Sequence, residues 1–520
     1  MAQTLNESMG IFILVEPHAD AELPATNAPA VLEPADSLRD HSLFSGIAWT
    51  ALTRWSAQLV SWAGTLYVAH VLSPTDYGLV AMANVPVGLV RVAENFGLDA
   101  VLVQDRQLDR QQLAQLAGLA LLVGVGLMLI IMALAQPIAS LYDHPGIAAI
   151  TAALSLLVPL EAAQVVPRAR LQIDMAFRAL GFLTFLQTVV ATITVVVCAH
   201  LALGPWSLVL NVVVSSAVLT LVLIVLRPFE VRWPRDLRSI ARPIVAGWRM
   251  LASRAGYYAS SSADQAIIGR MLGASSAGIY SFAQTFSTMP VQEITSVVGR
   301  VVPGVFSSVQ TRPSEMRRYF LMLTEASALI SFPAAAGIAV CADLLVRVAL
   351  GDQWLEVIAP LRILCLYAVV FAGQDLVGHV LLWTGRFRAN MWLNILAAIG
   401  LPPLLYLGAK HGLNGVCIAL CFGFTLLSLP GFVIAARIIQ MRWRDYGRAL
   451  WPAIISSLVM AAGVQLFRSQ DSVHAWPERL QFAAAVATGV LLYVAMLAVF
   501  FRNRARHLIG AIRAARRAAQ

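Results

Sequence analysis

The sequence predicts an all-α integral membrane protein with two related halves, and three observations lead to this fold class. Hydrophobic residues make up 59% of the 520 residues, charged residues make up 12%, and the mean hydropathy is +0.73. Apolar stretches of about 20 residues, long enough for a helix to cross the hydrocarbon of a bilayer, recur along the chain. Finally, the stretches 66–83 and 266–283 are alike.

The apolar stretches predict about 14 transmembrane helices, arranged as six, six and two. The first six are expected near 46–70, 78–103, 114–139, 148–167, 179–199 and 206–226. The second six are expected near 247–268, 277–309, 320–341, 356–383, 389–409 and 414–436. The last two are expected near 449–467 and 480–501.

Composition divides the chain into six segments. The N-terminal segment is acidic and rich in Pro, Ala and Asn, which is typical of disorder. The expected organisation is a disordered acidic cytoplasmic tail at 1–42, a first six-helix bundle at 43–228, a cytoplasmic linker at 229–246, a second six-helix bundle at 247–437, two C-terminal transmembrane helices at 438–501, and a basic cytoplasmic tail at 502–520.

The two similar stretches share an offset of 200 positions. Leu72 corresponds to Leu272, and Gly78 corresponds to Gly278. Each stretch lies where one apolar segment ends, turns tightly and gives way to the next. Because duplicated helix bundles form a binding site where the two copies meet, the repeat predicts a transporter whose two bundles are pseudo-symmetric about a central cavity.

The distribution of basic residues predicts the orientation in the membrane. Most arginines fall in the loops on one side and in the C-terminal tail, so this side is expected to be cytoplasmic, with both termini. The net charge of +9 then reflects orientation and attraction to anionic membrane lipid, and no nucleic-acid partner is expected. The opposite loops hold only Arg270, Arg347, Lys410, Arg468 and Arg479.

Common catalytic motifs are missing from the sequence. The single lysine, Lys410, is followed by His411, so no Walker A loop is present. No zinc-protease motif and no serine nucleophile elbow occur. The five cysteines lie in or at the ends of spans and are interpreted as small apolar helix residues. We therefore expect no catalytic residues, no metal site and no cofactor.

Arginines inside the spans are the candidate substrate-binding residues. A charge at the centre of a membrane helix costs about 2.5–3.5 kcal/mol, so it is expected to face a cavity or a partner. Arg54 and Arg254 share the repeat offset, and a pair of arginines at equivalent depth could bind a phosphate or diphosphate. In the alternative interpretation, both side chains extend to the lipid headgroups. Arg249 and Arg300 are further candidates for the same role.

Acidic residues and one histidine inside the spans are candidates for ion or proton coupling. Asp264 is the preferred one, because it lies in the polar run 260–265. The others are Glu94, Glu293, Asp375 and His379. Each of these has a potential partner on its own helix, so a structural pair remains the alternative; the pairs are Arg91 with Glu94, Glu293 with Arg300, and Asp375 with His379.

Several motifs resemble a known family. The run 72–83, followed by 96–104, is similar to the polysaccharide transporter family, and so is the run 263–280 with Pro303 and Phe306 further on. This family includes the Wzx-type O-antigen and exopolysaccharide flippases of the multidrug/oligosaccharidyl-lipid/polysaccharide superfamily. The resemblance covers about 43–510 and is not specific for one glycan.

The resemblance implies a function and a location. It implies movement of undecaprenyl-diphosphate-linked oligosaccharide from the cytoplasmic to the periplasmic leaflet of the bacterial inner membrane. It also implies alternating access driven by a cation or proton gradient, with polysaccharide polymerase and export proteins as possible partners. A peptidoglycan-precursor flippase and a multidrug antiporter remain alternatives. A membrane polymerase or ligase is disfavoured because the longest expected periplasmic loops, near 342–355 and 468–479, are short.

Overall fold

The part of the chain that the structure describes is helical and contains no strand. The structure is a computed structural model, and it describes residues 56–94, 109–174, 176–228, 230–233, 258, 261–309 and 312–500. All of these belong to one structural unit, Trp49–Gln520. The tails predicted at 1–42 and 502–520 lie outside the described residues, so their assignment stays a prediction.

The first half of the described chain holds seven helices. They are α1 (56–71), α2 (Pro74–Glu94), α3 (Arg110–Leu141), α4 (Gly146–Ser155), α5 (Leu157–Ile173), α6 (Phe177–His200) and α7 (Pro205–Leu226). Helices α4 and α5 together fill the single span expected near 148–167.

The remaining helices form the second half and the C-terminal pair. They are α8 (Ala263–Val309), α9 (Pro313–Val340), α10 (Ala342–Ala349), a 3-10 helix at Asp352–Val357, α11 (Ile358–Trp383), α12 (Phe387–Ala409), α13 (Gly412–Ile438), α14 (Trp443–Arg468), α15 (Asp471–His474) and α16 (Glu478–Phe500). Gly273 has non-helical backbone angles, φ 83° and ψ 179°, and divides α8 into two arms at 263–272 and 274–309.

The protein is a multi-pass membrane protein. Within the described residues, ten helical stretches are long and apolar enough to cross a membrane. Helices α1, α2 and the two arms of α8 lie at the four other expected spans. The all-α membrane fold is thus confirmed, whereas the count of fourteen spans stays a prediction.

Large apolar side chains cover the outer surface of the helices. Trp392, Ile399 and Leu466 are each more than half exposed, which is the pattern of helices that face hydrocarbon. Helical hydrogen bonding pairs most backbone groups within their own segment, which lipid requires because it offers no partner. The exposed apolar side chains are therefore expected for helices whose outer surface contacts lipid.

The two equivalent turns of the repeat use different chemistry. Between α1 and α2, the Ser73 backbone N–H donates to the Asp76 carboxylate at 2.9 Å, and the Asp76 N–H donates to Ser73 Oγ at 3.3 Å. This is a capping box, and Pro74 fills the first helical position after it. In α8 the same turn is made by Gly273, whose positive φ is strained for other residues.

Helix α2 packs extensively along α8. This contact joins the first half to the second half. The C-terminal helix α14 packs on α9 and α16, so it attaches to the second half. The central contact between halves is therefore made by the repeated segments that the sequence singled out.

Candidate functional site: the interface between the two halves

The two halves cross at a pair of equivalent glycines. A Cβ atom built on Gly78 would lie 1.7 Å from the Ala274 carbonyl oxygen. A Cβ atom built on Gly278 would lie 1.8 Å from the Pro74 carbonyl oxygen. Both partner positions and both glycines are related by the offset of 200 residues. The repeat is therefore a spatial pseudo-symmetry, and its two copies touch through backbone atoms at this crossing.

Beside the crossing, the second half caps the end of α1. The Trp354 indole Nε1 donates to the Ala69 carbonyl oxygen at 2.8 Å. The Gln353 amide donates to the carbonyl oxygens of Ala69 at 2.7 Å and of Leu72 at 3.2 Å. The last carbonyl groups of a helix have no partner within the helix, so these bonds satisfy acceptors that α1 cannot. We call this contact the Trp354 latch.

Aromatic packing reinforces the Trp354 latch. The Trp354 side chain is fully buried. Its ring centroid lies 4.2 Å from that of Phe282 and 5.4 Å from that of Tyr77. Tyr77 belongs to the first half, and its ring meets Phe282 edge to face with centroids 4.6 Å apart. Three aromatic rings from both halves thus form one cluster.

A second latch joins the halves on the pseudo-symmetric side. Asp143, just after α3, forms an ion pair with Arg270 at the end of the first arm of α8. Their side chains are 72% and 50% exposed. Tyr142 packs against Gly269, where an added Cβ would lie 3.1 Å from its ring. We call this contact the Asp143 latch. Its two residues on α8, Gly269 and Arg270, are equivalent to Ala69 and His70 of α1.

Together the crossing and the two latches close one end of the interface. We call it the outer end, because its turns near 72–73, 143–146, 273 and 341–357 are those predicted to face the periplasm. The closed end explains why the repeated segments carry glycine where their backbones meet.

A half-open apolar pocket of about 320 Å³ lies between the halves beside the Asp143 latch. Its rim includes Tyr258, whose hydroxyl donates to the Asn84 carbonyl oxygen of α2 at 3.1 Å. The lining comes from α2, from the end of α3 and from the segment before and within α8, and it consists of Val85, Pro86, Leu89, Ile138, Leu141, Tyr142, Tyr258, Ser262, Ala263 and Ala266.

Asp264 is buried within a ring of hydrogen-bond donors. Its residue is 5% exposed. The carboxylate accepts the Gln265 backbone N–H at 2.7 Å, the Gln284 amide at 3.2 Å and the Tyr280 hydroxyl. None of these three donors is charged. A buried carboxylate with only neutral donors is suited to taking up a proton or a small cation, since either would neutralise it.

A partly buried ion pair between two helices of the first half was missed by the sequence analysis. Arg91 of α2 forms a bidentate pair with Glu161 of α5, with Nε to Oε2 at 2.9 Å. The side chains are 34% and 23% exposed. The sequence suggested Glu94 as the neighbour of Arg91, because only helical spacing could be read. The described structure joins Arg91 to a residue on another helix.

The structure places the predicted site residues to different extents. Glu293 lies half-buried on the second arm of α8, and His379 lies half-buried on α11. Three of the candidates are on described helices, but their side chains lie outside the described residues; these are Glu94, Arg300 and Asp375. Three more lie wholly outside them, namely Arg54, Arg249 and Arg254. Their roles stay predictions.

Gln353 and Trp354 were also missed by the sequence analysis, although a signal exists. The segment near 342–355 was interpreted only as a short loop. It is the strongly amphipathic helix α10 followed by a 3-10 helix, and it buries a tryptophan. A tryptophan in a predicted extramembrane loop is a large apolar side chain, and such a side chain is expected to be buried against another segment of the protein.

Comparison with known proteins identifies the family. The family model described as polysaccharide biosynthesis protein matches residues 67–359. The chain belongs to this family. The match spans both copies of the repeat and both latches, so the closed outer end lies inside the region that defines family membership.

Two curated relatives and one solved structure extend the comparison. The chain is 23% identical over 434 residues to the lipopolysaccharide biosynthesis protein WzxC of Escherichia coli K12, covering 81% of this chain and 86% of the relative. It is 22% identical over 479 residues to the succinoglycan biosynthesis transport protein ExoT of Rhizobium meliloti, covering 90% and 95%. The lipid II flippase MurJ in an inward closed conformation aligns with TM-score 0.72 and 12% identity, covering 87% of this chain and 99% of that one.

Proposed function

We propose that this protein is a flippase for a lipid-linked oligosaccharide. It carries an undecaprenyl-diphosphate-linked glycan from the cytoplasmic to the periplasmic leaflet of a bacterial inner membrane. The observation that carries the proposal is the reciprocal contact of Gly78 and Gly278, because it makes the two halves equivalent bodies that meet at one end. Membership of a polysaccharide biosynthesis family and the names of the relatives support a glycan as cargo.

The mechanism is alternating access between the halves. In the closed arrangement, the outer end is sealed and the substrate headgroup enters from the cytoplasm. The halves then separate at the crossing while the inner end closes, and the headgroup leaves outside. Backbone contact through glycines suits this motion, since no side chain of Gly78 or Gly278 obstructs separation at the crossing itself. The prenyl tail remains in the lipid throughout, and no bond is made or broken.

Charged residues take two roles in this mechanism. Arg54 and Arg254, with Arg249 and Arg300, bind the diphosphate, because arginine matches phosphate geometry in a bidentate fork. Asp264, held by Tyr280 and Gln284, is the coupling site for a proton or cation. The further coupling candidates are Glu94, Glu293, Asp375 and His379. Both termini are cytoplasmic, and polysaccharide polymerase and export proteins receive the product.

The test is a clean deletion followed by an assay of the sidedness of lipid-linked oligosaccharide in spheroplasts. Intact repeat units should accumulate on the cytoplasmic leaflet, and surface polysaccharide should be lost. Complete units that reach the periplasm but stay unpolymerised would contradict a transport role and favour a polymerase or ligase. Accumulation of peptidoglycan precursor, or drug sensitivity with normal glycans, would favour the two other transport functions.

The substrate site is tested by complementing that deletion. Arg54→Ala and Arg254→Ala should each restore protein level but not glycan export. Arg388→Ala is the matched control, because Arg388 is exposed at a predicted cytoplasmic loop, and it should restore both. Normal export by both the Arg54→Ala and the Arg254→Ala variant would remove the arginine pair from the mechanism.

A further inference from the structure

We propose that Gln353 and Trp354 form the lock of the outer end, and that the Asp143 latch contributes little to holding it shut. This inference rests on the proposed function only in its account of why the outer end opens. The contacts that carry it exist in the closed structure whatever the cargo is.

The Trp354 latch holds the halves through directional bonds at a helix end. Ala69 accepts two hydrogen bonds from the second half, and Leu72 accepts a third. If the halves separate at the crossing, α1 moves away from the 3-10 helix that carries both donors. All three bonds must then break together, because two adjacent residues on one short element make them.

Burial adds to the strength of the Trp354 latch. The Trp354 ring has no exposed surface, and it packs with Tyr77 of the first half and Phe282 of the second. Opening the outer end pulls Tyr77 away from the two other rings. Apolar surface is then exposed to water, which opposes opening in proportion to its area.

The element that carries the latch is itself anchored to the second half. Asp343, at the start of α10, accepts a hydrogen bond from Arg468 of α14 at 3.1 Å and lies 3.5 Å from Arg362 of α11. Arg468 also donates to the Val340 carbonyl oxygen at 2.6 Å. The segment therefore moves with the second half, so separation of the halves must break the latch at α1.

The Asp143 latch has the same position but weaker chemistry. Its ion pair is mostly exposed, and exposed ion pairs contribute little because water screens them. Where the Trp354 side of the repeat has Tyr77 and Phe282, the equivalent positions of the other half are Ala277 and Met82. The structure thus assigns the holding role to one side of a pseudo-symmetric interface.

The experiment measures the outer end directly by double electron–electron resonance. Spin labels are placed at Thr75→Cys and Ser275→Cys, two exposed, equivalent positions beside the crossing, after alanine replaces the five native cysteines. Purified protein in lipid nanodiscs is measured without substrate. Gln353→Leu removes two hydrogen bonds and Trp354→Phe removes the third while keeping a ring. Glu356→Gln, on the same 3-10 helix and exposed, is the matched control.

The combined Gln353→Leu and Trp354→Phe variant should raise the ratio of long to short distances at least about tenfold, the scale expected for losing several hydrogen bonds. Glu356→Gln and Asp143→Asn should change it less than about twofold. Gln353→Leu alone, a change at an exposed residue, gives the answer if the combined variant does not fold. An unchanged distance distribution in a folded latch variant would overturn the proposal. An equal opening by Asp143→Asn would overturn it too.

Failure of the lock and failure of the flippase function give different results. Altered distances together with normal glycan sidedness in the deletion strain would refute the flippase and leave the lock in place. Unaltered distances together with cytoplasmic accumulation of glycan would refute the lock and leave the flippase in place.

Discussion

The two latches of the outer end occupy equivalent positions and use opposite chemistry. The Trp354 latch is a buried aromatic cluster with three hydrogen bonds to the end of α1. The Asp143 latch combines an exposed ion pair at the end of the first arm of α8 with the packing of one ring, Tyr142, on Gly269, and the described residues show no hydrogen bond from its side chains to a helix end. The repeat preserves where the halves meet, but each copy has its own side chains there. The backbones of the two halves are therefore pseudo-symmetric, whereas the side chains that hold the outer end closed lie mainly at the Trp354 latch.

The glycine crossing should be the most sensitive part of the interface, because it is shared by both sides. Gly78→Ala places a Cβ on the Ala274 carbonyl, and Gly278→Ala places one on the Pro74 carbonyl. Both should prevent closure of the outer end and abolish glycan export to a similar extent. Export is measured as surface polysaccharide in the complemented deletion strain.

Gly126→Ala is the control for this prediction, since an added Cβ there meets nothing within 4 Å. It should leave export normal. A large difference in export between Gly78→Ala and Gly278→Ala would show that the two sides of the crossing are not equivalent. The asymmetry of the latches would then extend to the backbone.

Loss of the Trp354 side chain should have the next largest effect. Replacing a fully buried tryptophan by alanine costs about 3–5 kcal/mol in soluble cores. Trp354→Ala should therefore lower the Tm of the purified protein by several degrees, as measured by thermal unfolding in detergent. Trp354→Phe should recover most of this loss. An unchanged Tm for Trp354→Ala would mean that the aromatic cluster does not hold the outer end.

Acid should weaken the anchor of the Trp354 latch. Burial acts to raise the pKa of Asp343, but the hydrogen bond and charge of Arg468 outweigh it, so the pKa lies below its ordinary value. A lowered folded-state pKa stabilises the protein fully above the unfolded value of about 3.9 and loses this effect as pH falls through the folded value. The Tm difference between wild type and Asp343→Asn should shrink below pH 4. A difference that is constant from pH 6 to pH 3 would exclude the ionised anchor.

Removal of the Asp143 ion pair should have the smallest effect. Exposed pairs contribute about 0–1 kcal/mol, so Asp143→Asn and Arg270→Gln should each leave the Tm nearly unchanged. Added salt should also change the Tm of the wild type little, because water already screens most of the attraction between Asp143 and Arg270. A Tm loss as large as that of Trp354→Ala would show that the two latches contribute equally to stability, and it would contradict the proposed asymmetry.

Much of the fold could be predicted because it follows from local patterns. Hydropathy located the ten stretches that are long and apolar enough to cross a membrane, because each must match the thickness of the bilayer on its own. The repeat identified Gly78 and Gly278 as equivalent positions, but only the structure shows that the two segments cross there. Asp264 was selected from the polar run around it, and it is buried among neutral donors.

What could not be predicted depends on contacts between distant segments. Arg91 pairs with Glu161, which is 70 positions away, and the sequence did not predict this pair; the side chain of Glu94, the expected partner three positions away, lies outside the described residues. Trp354 docks on Ala69 across 285 positions. Helical spacing carries no information about which helices are neighbours, so neither partner was accessible from one sequence. The sequence did contain a signal for the Trp354 latch, namely a tryptophan in a short predicted loop. It did not indicate the segment on which this tryptophan docks.

Whether opening of the outer end is required for transport can be tested with a reversible cross-link. Cells carry Thr75→Cys and Ser275→Cys in the cysteine-free background, and a short thiosulfonate cross-linker joins the two sites across the crossing. Glycan export should stop while the link is present and resume when a reductant removes it. The single variants, treated alike, should export throughout. Full export with the two halves linked at the outer end would contradict alternating access between them.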